Sequence, residues 1–249
     1  MKDELIGGIH WSGHRPVVGP VIVQNVPRPP TQLVDRFRDF FIPDICDRVG
    51  QLYTMDSSIH SLYQPARPLV GIALTVKTPR SENSSIHRAM NMVQPGDVLV
   101  IDARGDTESC GSGAGSLMAP ISRGLEGVVI DGAWRDISEL EAIGFPIYGK
   151  GVTAFSSPKT RPGEINVPVC CGGVIVHPGD IIVCGQDGAV VIPRKHAELV
   201  ADSLQEHTLK SSLEEWDLER IKRNAKRRDE LFEELFQERG GSYIDWNNH

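Results

Sequence analysis

Gly127-Val128-Val129-Ile130-Asp131-Gly132-Ala133-Trp134-Arg135-Asp136 reads as a buried strand, a tight turn and the opening of a helix. Val128 to Ile130 is a short β-branched run of the kind that fills a core strand. Asp131-Gly132 is a turn signal. Arg135 and Asp136 then fall where a strand hands over to a helix, a place where α/β folds commonly hold functional groups. A guanidinium there can grip a carboxylate through two parallel hydrogen bonds. The neighbouring carboxylate can hold a divalent metal, directly or through water. The same two residues also read as a helix-start salt bridge.

Upstream, Leu69 to Thr78 reads as a strand closed by Pro79, Ser84 to Val93 as a short helix, and Pro95-Gly96-Asp97 as a turn into a strand over Val98 to Asp102. Helical spacing places one helix from Thr31, as cap, through Phe40 and a second from Asp44 to Leu52. Downstream, a helix over Ile137 to Ile143 ends at Gly144, and Phe145-Pro146-Ile147-Tyr148 begins the next strand. Three short apolar runs follow, Val174 to Val176, Ile181 to Cys184 and Ala189 to Ile192. Tight turns separate them, which suggests a compact β layer or barrel. From Lys195 to about Gly240 the chain is helical and highly charged, with an irregular stripe that includes Leu199, Leu204, Trp216, Ile221, Leu231 and Leu235.

Residues 104–116 form a Gly-rich loop, with a helix expected from Leu117 to Arg123, although Pro120 suits only a first turn. A strand, a Gly-rich turn and a helix start make an anion site, because free N–H groups at the helix N-terminus point at negative charge. The loop lacks the Lys and Ser/Thr of a P-loop, and Ser116 occupies the third Gly position of a dinucleotide fingerprint. A small carboxylate such as pyruvate is the better match. No Gly-x-Ser-x-Gly elbow occurs, and His60 and His87 have no companion at zinc spacing. An oxygen-liganded Mg²⁺ or Mn²⁺ suits the residues better than zinc.

The chain has 249 residues, 40% hydrophobic and 24% charged, which is ordinary for a soluble globular protein. A net charge of −7 argues against a nucleic-acid partner. No apolar run is long enough for a membrane span, and Met1-Lys2-Asp3-Glu4 lacks the start of a signal peptide, so a cytoplasmic location is expected. The five cysteines show no Cys-x-x-Cys spacing and read as reduced thiols, mostly core fillers.

Several motifs in order resemble the RraA-like family. They are Ile42-Pro43-Asp44-Ile45-Cys46-Asp47-Arg48-Val49-Gly50, Pro95-Gly96-Asp97-Val98-Leu99-Val100-Ile101-Asp102, Arg123-Gly124-Leu125-Glu126-Gly127 through Arg135-Asp136, Asn166-Val167-Pro168-Val169, Gly172-Gly173-Val174, Pro178-Gly179-Asp180 and Asp187-Gly188-Ala189-Val190-Val191-Ile192-Pro193. That family includes 4-hydroxy-4-methyl-2-oxoglutarate / 4-carboxy-4-hydroxy-2-oxoadipate aldolases and a regulator of ribonuclease E activity. The resemblance implies an α/β fold with a β-rich, swivelling-domain-like core, flanking helices and a helical C-terminal extension. The catalytic domain is then expected over 31–195, while the Pro- and Gly-rich residues 1–30 read as an N-terminal arm and 196–249 as a charged helical extension, both unlike the minimal family domain. The resemblance also implies a homotrimer or homohexamer with the active site at a subunit interface.

Under the same resemblance, Arg135 and Asp136 are catalytic, Arg135 binding the pyruvoyl carboxylate and keto oxygen and Asp136 the divalent metal. The backbone of Gly113, Ala114, Gly115, Ser116 and Leu117 holds the carboxylate. The implied activity is metal-dependent cleavage of a short 2-oxo acid through a pyruvate enolate, by retro-aldol cleavage or oxaloacetate decarboxylation. The sequence departs from the aldolase pattern where those enzymes carry an acidic residue near the metal: the matching position is Ala114 or Ser116, with Asp106 or Glu108 as substitutes. The aldolases also use a Glu from a neighbouring C-terminal helix, for which Glu206, Glu214 and Glu215 are the equivalents available. Two alternatives stay open, a non-enzymatic regulator of the ribonuclease E type and a related lyase or hydrolase acting on another small carboxylate.

Overall fold

The computed structural model describes residues 18–64, 66–213 and 218–243, and the chain divides into two compact units at Asp202/Ser203. In the first, α1 (Thr31–Asp35) leads into a 3-10 turn, and α2 (Ile42–Val49) into a second such turn over Gln51–Tyr53. Then come β1 (His60–Ser61), β2 (Leu69–Lys77), α3 (Ser84–Met90), β3 (Asp97–Cys110), α4 (Ala114–Ser122), β4 (Gly127–Trp134), α5 (Ile137–Ala142) and β5 (Ile147–Val152). The unit continues with β6 (Glu164–Ile165), β7 (Val169–Cys171), β8 (Val174–Val176), β9 (Ile181–Gly185), β10 (Gly188–Ile192) and the start of α6 (Ala197–Leu213). The second unit holds the rest of α6 and α7 (Leu218–Glu238).

The main sheet has the order β1-β5-β4-β3-β2-β9-β10, with β6 added along the end of β2. β2, β3, β4 and β5 are parallel, joined in sequence through α3, α4 and α5, while β1, β9 and β10 pair antiparallel. The sheet nearly closes: Thr54 bridges Val190, and the Met55 N–H donates to the Ala189 carbonyl at 2.9 Å, just before β1. β7 and β8 form a separate hairpin, so only two of the three late apolar runs join the main sheet.

The apolar runs form parallel strands because both faces are covered. Leu99, Ile101, Val128 and Ile130 face the helices with Ile86, Leu117 and Leu140. Val98, Val100 and Val129 face the other way, against Val169, Val174 and Ile182. Each such side chain, fully buried, contributes roughly 1.5–3 kcal/mol. The arm from residue 18 lies along β6, where Ile165 donates to the Val21 carbonyl and accepts from the Val23 N–H, both at 3.0 Å.

The structure corrects several sequence expectations. Asp131-Gly132 is not a turn but the middle of β4, where every residue is buried. β3 runs on to Cys110 through residues read as loop. Left-handed Arg104 and Gly105 lie in the irregularity between Asp102 and Asp106, after which Asp106 and Cys110 pair again with Gly132 and Ala133. α4 begins at Ala114 rather than Leu117, so Pro120 lies beyond its first turn. Pro30, not Thr31, precedes α1, which ends at Asp35. α2 ends at Val49, not Leu52. Among the described residues no helix is long and apolar enough to cross a membrane.

Candidate active site

Parallel strands deliver their following loops to one end of the sheet, where α/β proteins commonly bind ligands. Here the loops after β3, β4 and β5 meet. The Gly111 N–H donates to the Ala133 carbonyl at 2.8 Å, and the Arg135 N–H to the Ser112 carbonyl at 3.2 Å. The Thr153 N–H donates to the Trp134 carbonyl at 3.1 Å. These bonds continue the sheet's pairing beyond its regular strands and fix the loops to one another.

Asp136 has φ 59° and ψ 41°, the left-handed conformation that Asp tolerates better than most residues, and it stands at the N-terminal cap position of α5. Its side chain makes no cap bond to its own helix. Instead Oδ2 accepts the Ala114 N–H at 3.0 Å, the first amide of α4. Arg135 Nε lies 3.7 Å from the same Oδ2. Nε is buried without a hydrogen-bond partner, while the guanidinium side chain as a whole is 39% exposed. The pair is the ion pair expected at this helix start, only part-exposed and, through Asp136, bonded across to α4 as well. It joins two loops and leaves a half-exposed cation facing outward.

Gly113 is a matter of space. Its φ of −136° is ordinary, but a Cβ there would lie 1.9 Å from Asp136 Oδ2 and 3.0 Å from Arg135 Nε. The glycine lets the carboxylate reach the helix start. Since Ala114 N–H is committed to Asp136 and Ser116 N–H to the Gly113 carbonyl at 3.2 Å, the amides of Gly113 and Gly115 remain for a ligand. Leu117 is buried against Ile130 and Trp134 in the helix-side core, so its side chain serves packing.

A pocket of about 270 Å³ opens between Arg135, Asp136, Val152, Thr153 and Ala154. Sequence reading missed the contribution of residues 152–154, whose one signal is their place at the end of the strand that follows α5. Beneath the site Cys110 is fully buried; burial pushes its thiol up, against the opposing Arg135 charge, so it is a protonated filler.

Of the two substitute acids, Asp106 does not fill the place of the missing carboxylate, while Glu108 is exposed and its carbonyl accepts the Thr153 hydroxyl at 3.5 Å. Asp106 is buried and saturated: Oδ2 accepts from Ser81 N–H at 2.8 Å and the Ser109 hydroxyl at 2.7 Å, and Oδ1 from Glu108 N–H at 3.0 Å. Burial raises its pKa, but these donors outweigh burial and hold the carboxyl below the usual range. Glu82, which the sequence did not signal, is likewise buried. It accepts from Asn83, Ser84, Thr160 and Arg161 amides and the Thr160 hydroxyl, and these bonds outweigh burial in the same direction. It fastens the segment after β5 to the start of α3. Glu214 and Glu215 lie outside the described residues; Glu206 belongs to α6 in the second unit.

Asp136 alone offers a carboxylate to a cation in the pocket, and no group of three His, Cys, Asp or Glu side chains gathers for a metal among the described residues. That donor set fits Mg²⁺ or Mn²⁺ bound mostly through water, since Mg²⁺ keeps several waters and needs one or two carboxylates. It does not fit a closed four-ligand zinc site.

The chain is 40% identical over 167 residues to a protein of Halalkalibacterium halodurans that carries the provisional name 4-hydroxy-4-methyl-2-oxoglutarate aldolase; the match covers 67% of this chain and 79% of that one. It is similar to the crystal structure of Streptomyces coelicolor RraAS2, described as an unusual member of the RNase ES inhibitor RraA protein family. The identity is 30% and the TM-score 0.67, over 75% of this chain and 98% of the other. An uncharacterised protein from Pseudomonas syringae pv. tomato has the same fold, with TM-score 0.67, 24% identity and coverage of 75% and 87%. The resemblance read from the motifs is thus borne out, and with residues 42–191 matching RraA-like: Aldolase/RraA, the chain belongs to that family.

Proposed function

We propose that the protein is a divalent-metal-dependent lyase that cleaves a short 2-oxo acid to release pyruvate. The observation that carries this reading is the interlock of Arg135 and Asp136, which line one small pocket, with the Gly113-Ala114 helix start. The aldolase names of relatives support it.

Arg135 binds and orients the substrate's 2-oxo acid end, and the Gly113 and Gly115 amides at the α4 N-terminus add donors for its carboxylate. In retro-aldol cleavage the 4-hydroxyl gives up its proton, the C3–C4 bond breaks, and its electron pair moves into the 2-oxo group as an enolate. That enolate then takes a proton at C3 to give pyruvate. Decarboxylation of oxaloacetate leaves the same enolate when the C3–C4 bond breaks to release CO₂. Arg135, with its buried Nε pre-positioned, is a fixed cation toward which negative charge can develop without reorganisation. Asp136 would hold the Mg²⁺ or Mn²⁺ ion, which when bound would supply Lewis-acid stabilisation of that charge. Asp136, bonded to Ala114 N–H through one oxygen, keeps the other for such an ion.

The test is pyruvate release from oxaloacetate and from 4-hydroxy-4-methyl-2-oxoglutarate, with Mg²⁺, with Mn²⁺ and with EDTA. Turnover that needs metal and falls at least ~100-fold in Arg135→Lys and Asp136→Asn supports the proposal. Folded, metal-supplied protein that turns over neither substrate sinks it. A second reading, a surface regulator of a ribonuclease, draws on the Streptomyces neighbour and on Ala114 or Ser116 standing where the aldolases carry an acid. It requires neither Arg135 nor Asp136, so inhibition of a ribonuclease E-type enzyme that survives both substitutions would favour it.

A further inference from the structure

A second cavity in the first unit shares no residue with the lyase pocket. It measures about 620 Å³, within the range of small-molecule sites. One side of it is apolar. On β8 the side chains alternate, so Val174 and Val176 enter the core while Ile175 is turned out and is 62% exposed. Leu52, in the 3-10 turn after α2, is 85% exposed and lines the same cavity. The other side is basic. After β10 the chain turns at Pro193 into a 3-10 turn over Arg194–His196, which sets three basic residues in succession.

Asp180 brings a fourth basic residue to them. Its Oδ2 accepts the His177 N–H and its Oδ1 the Arg194 N–H, both at 2.9 Å, so one carboxylate staples the turn after β8 to the turn after β10. Among the described lining residues Asp180 is the one acid, and its side chain is only 6% exposed. Arg194 is held in place as well, since one guanidinium nitrogen donates to the Pro27 carbonyl at 2.8 Å. Even with both histidines neutral, the lining sets Arg194 and Lys195 against Asp180, in a chain whose net charge is −7. We infer that this cavity binds a small amphiphilic anion, a carboxylate on an apolar body. The apolar body lies against Leu52 and Ile175, and the carboxylate meets Lys195 and Arg194. A cation of the same shape meets like charges there, and a short anion leaves the apolar walls in water.

The test is isothermal titration calorimetry of the full-length protein with octanoate, beside acetate, which lacks the chain, and octyltrimethylammonium, which reverses the charge. Octanoate is expected to bind one per chain, and the other two at least ~10-fold more weakly. Lys195→Glu and Ile175→Glu are each expected to weaken octanoate binding at least ~10-fold, whereas Arg135→Met, in the lyase pocket, leaves it unchanged. Lys195 is exposed on a turn, so its variant decides the outcome even if Ile175→Glu unfolds. Octanoate that does not bind, that binds no better than the cation, or that is lost with Arg135 and kept in Lys195→Glu overturns the inference. So does a wild-type assembly that binds no octanoate and whose mass falls in Ile175→Glu, which would place a second copy on the apolar walls.

Discussion

A methyl group at position 113 would sit 1.9 Å from Asp136 Oδ2, whereas one at position 115 meets nothing within 4 Å. Both glycines lie at the start of α4, so the contrast separates space from conformation. Gly113→Ala is expected to cost about 2 kcal/mol in urea unfolding, because the Asp136 carboxylate must leave the Ala114 amide. Gly115→Ala is expected to gain about 0.5 kcal/mol from helix propensity. Equal stabilities for the two variants would mean that the loops are not interlocked. The importance of Arg135 and Asp136 as a pair was legible from their place after an apolar strand. That Asp136 reaches back to the preceding helix was not, because the bond joins residues 22 positions apart.

At the scale of elements, the β7–β8 hairpin is tied to the main sheet by carboxylates that emerge from its strands. Asp131 on β4 accepts the Gly172 N–H at 3.0 Å and pairs with Lys150 Nζ on β5 at 2.6 Å. Burial lowers the Lys150 pKa, but Asp131 outweighs burial and holds the ammonium above its ordinary range. Lys150→Met leaves Asp131 buried beside no cation and is expected to cost about 2–3 kcal/mol in urea unfolding. Asp131→Asn in that background should recover part of the loss. This pairing explains why the strand reading stopped short. Asp131-Gly132 has the composition of a turn, and only a lysine on the neighbouring strand makes an Asp acceptable inside a sheet. Residues 104–110 misled for a related reason: Asp106 is polar but buried, and its donors come from Ser81 and Ser109. The apolar runs of β4, β9 and β10 had no such competing signal and stood out at once.

For the molecule as a whole, buried carboxylates set the response to acid. Glu82 and Asp106 both titrate below their unfolded values, about 4.3 and 3.9, because their hydrogen bonds outweigh burial. Their contribution is fully present above those unfolded values and is lost as pH falls through the folded ones. Between pH 7 and pH 5 stability is therefore expected not to change on account of these two groups, and to fall steeply below about pH 4. Glu82→Gln should lower stability at neutral pH by roughly 2–4 kcal/mol and flatten that acid slope, read by unfolding at a series of pH values.

The Glu82 fastening also bears on motion. Thr160 and Arg161 lie between β5 and β6 and belong to no helix or strand, yet both amides point into one buried carboxylate, at 2.9 and 2.7 Å. Deuterium from the solvent reaches such amides only when the segment detaches from α3. These two protons should therefore persist on the timescale of the sheet's own, while their neighbours exchange early, and Glu82→Gln should release them. The stretch that follows the pocket-lining residues is then a rigid strut and not a lid, and access to the pocket cannot depend on its swinging open.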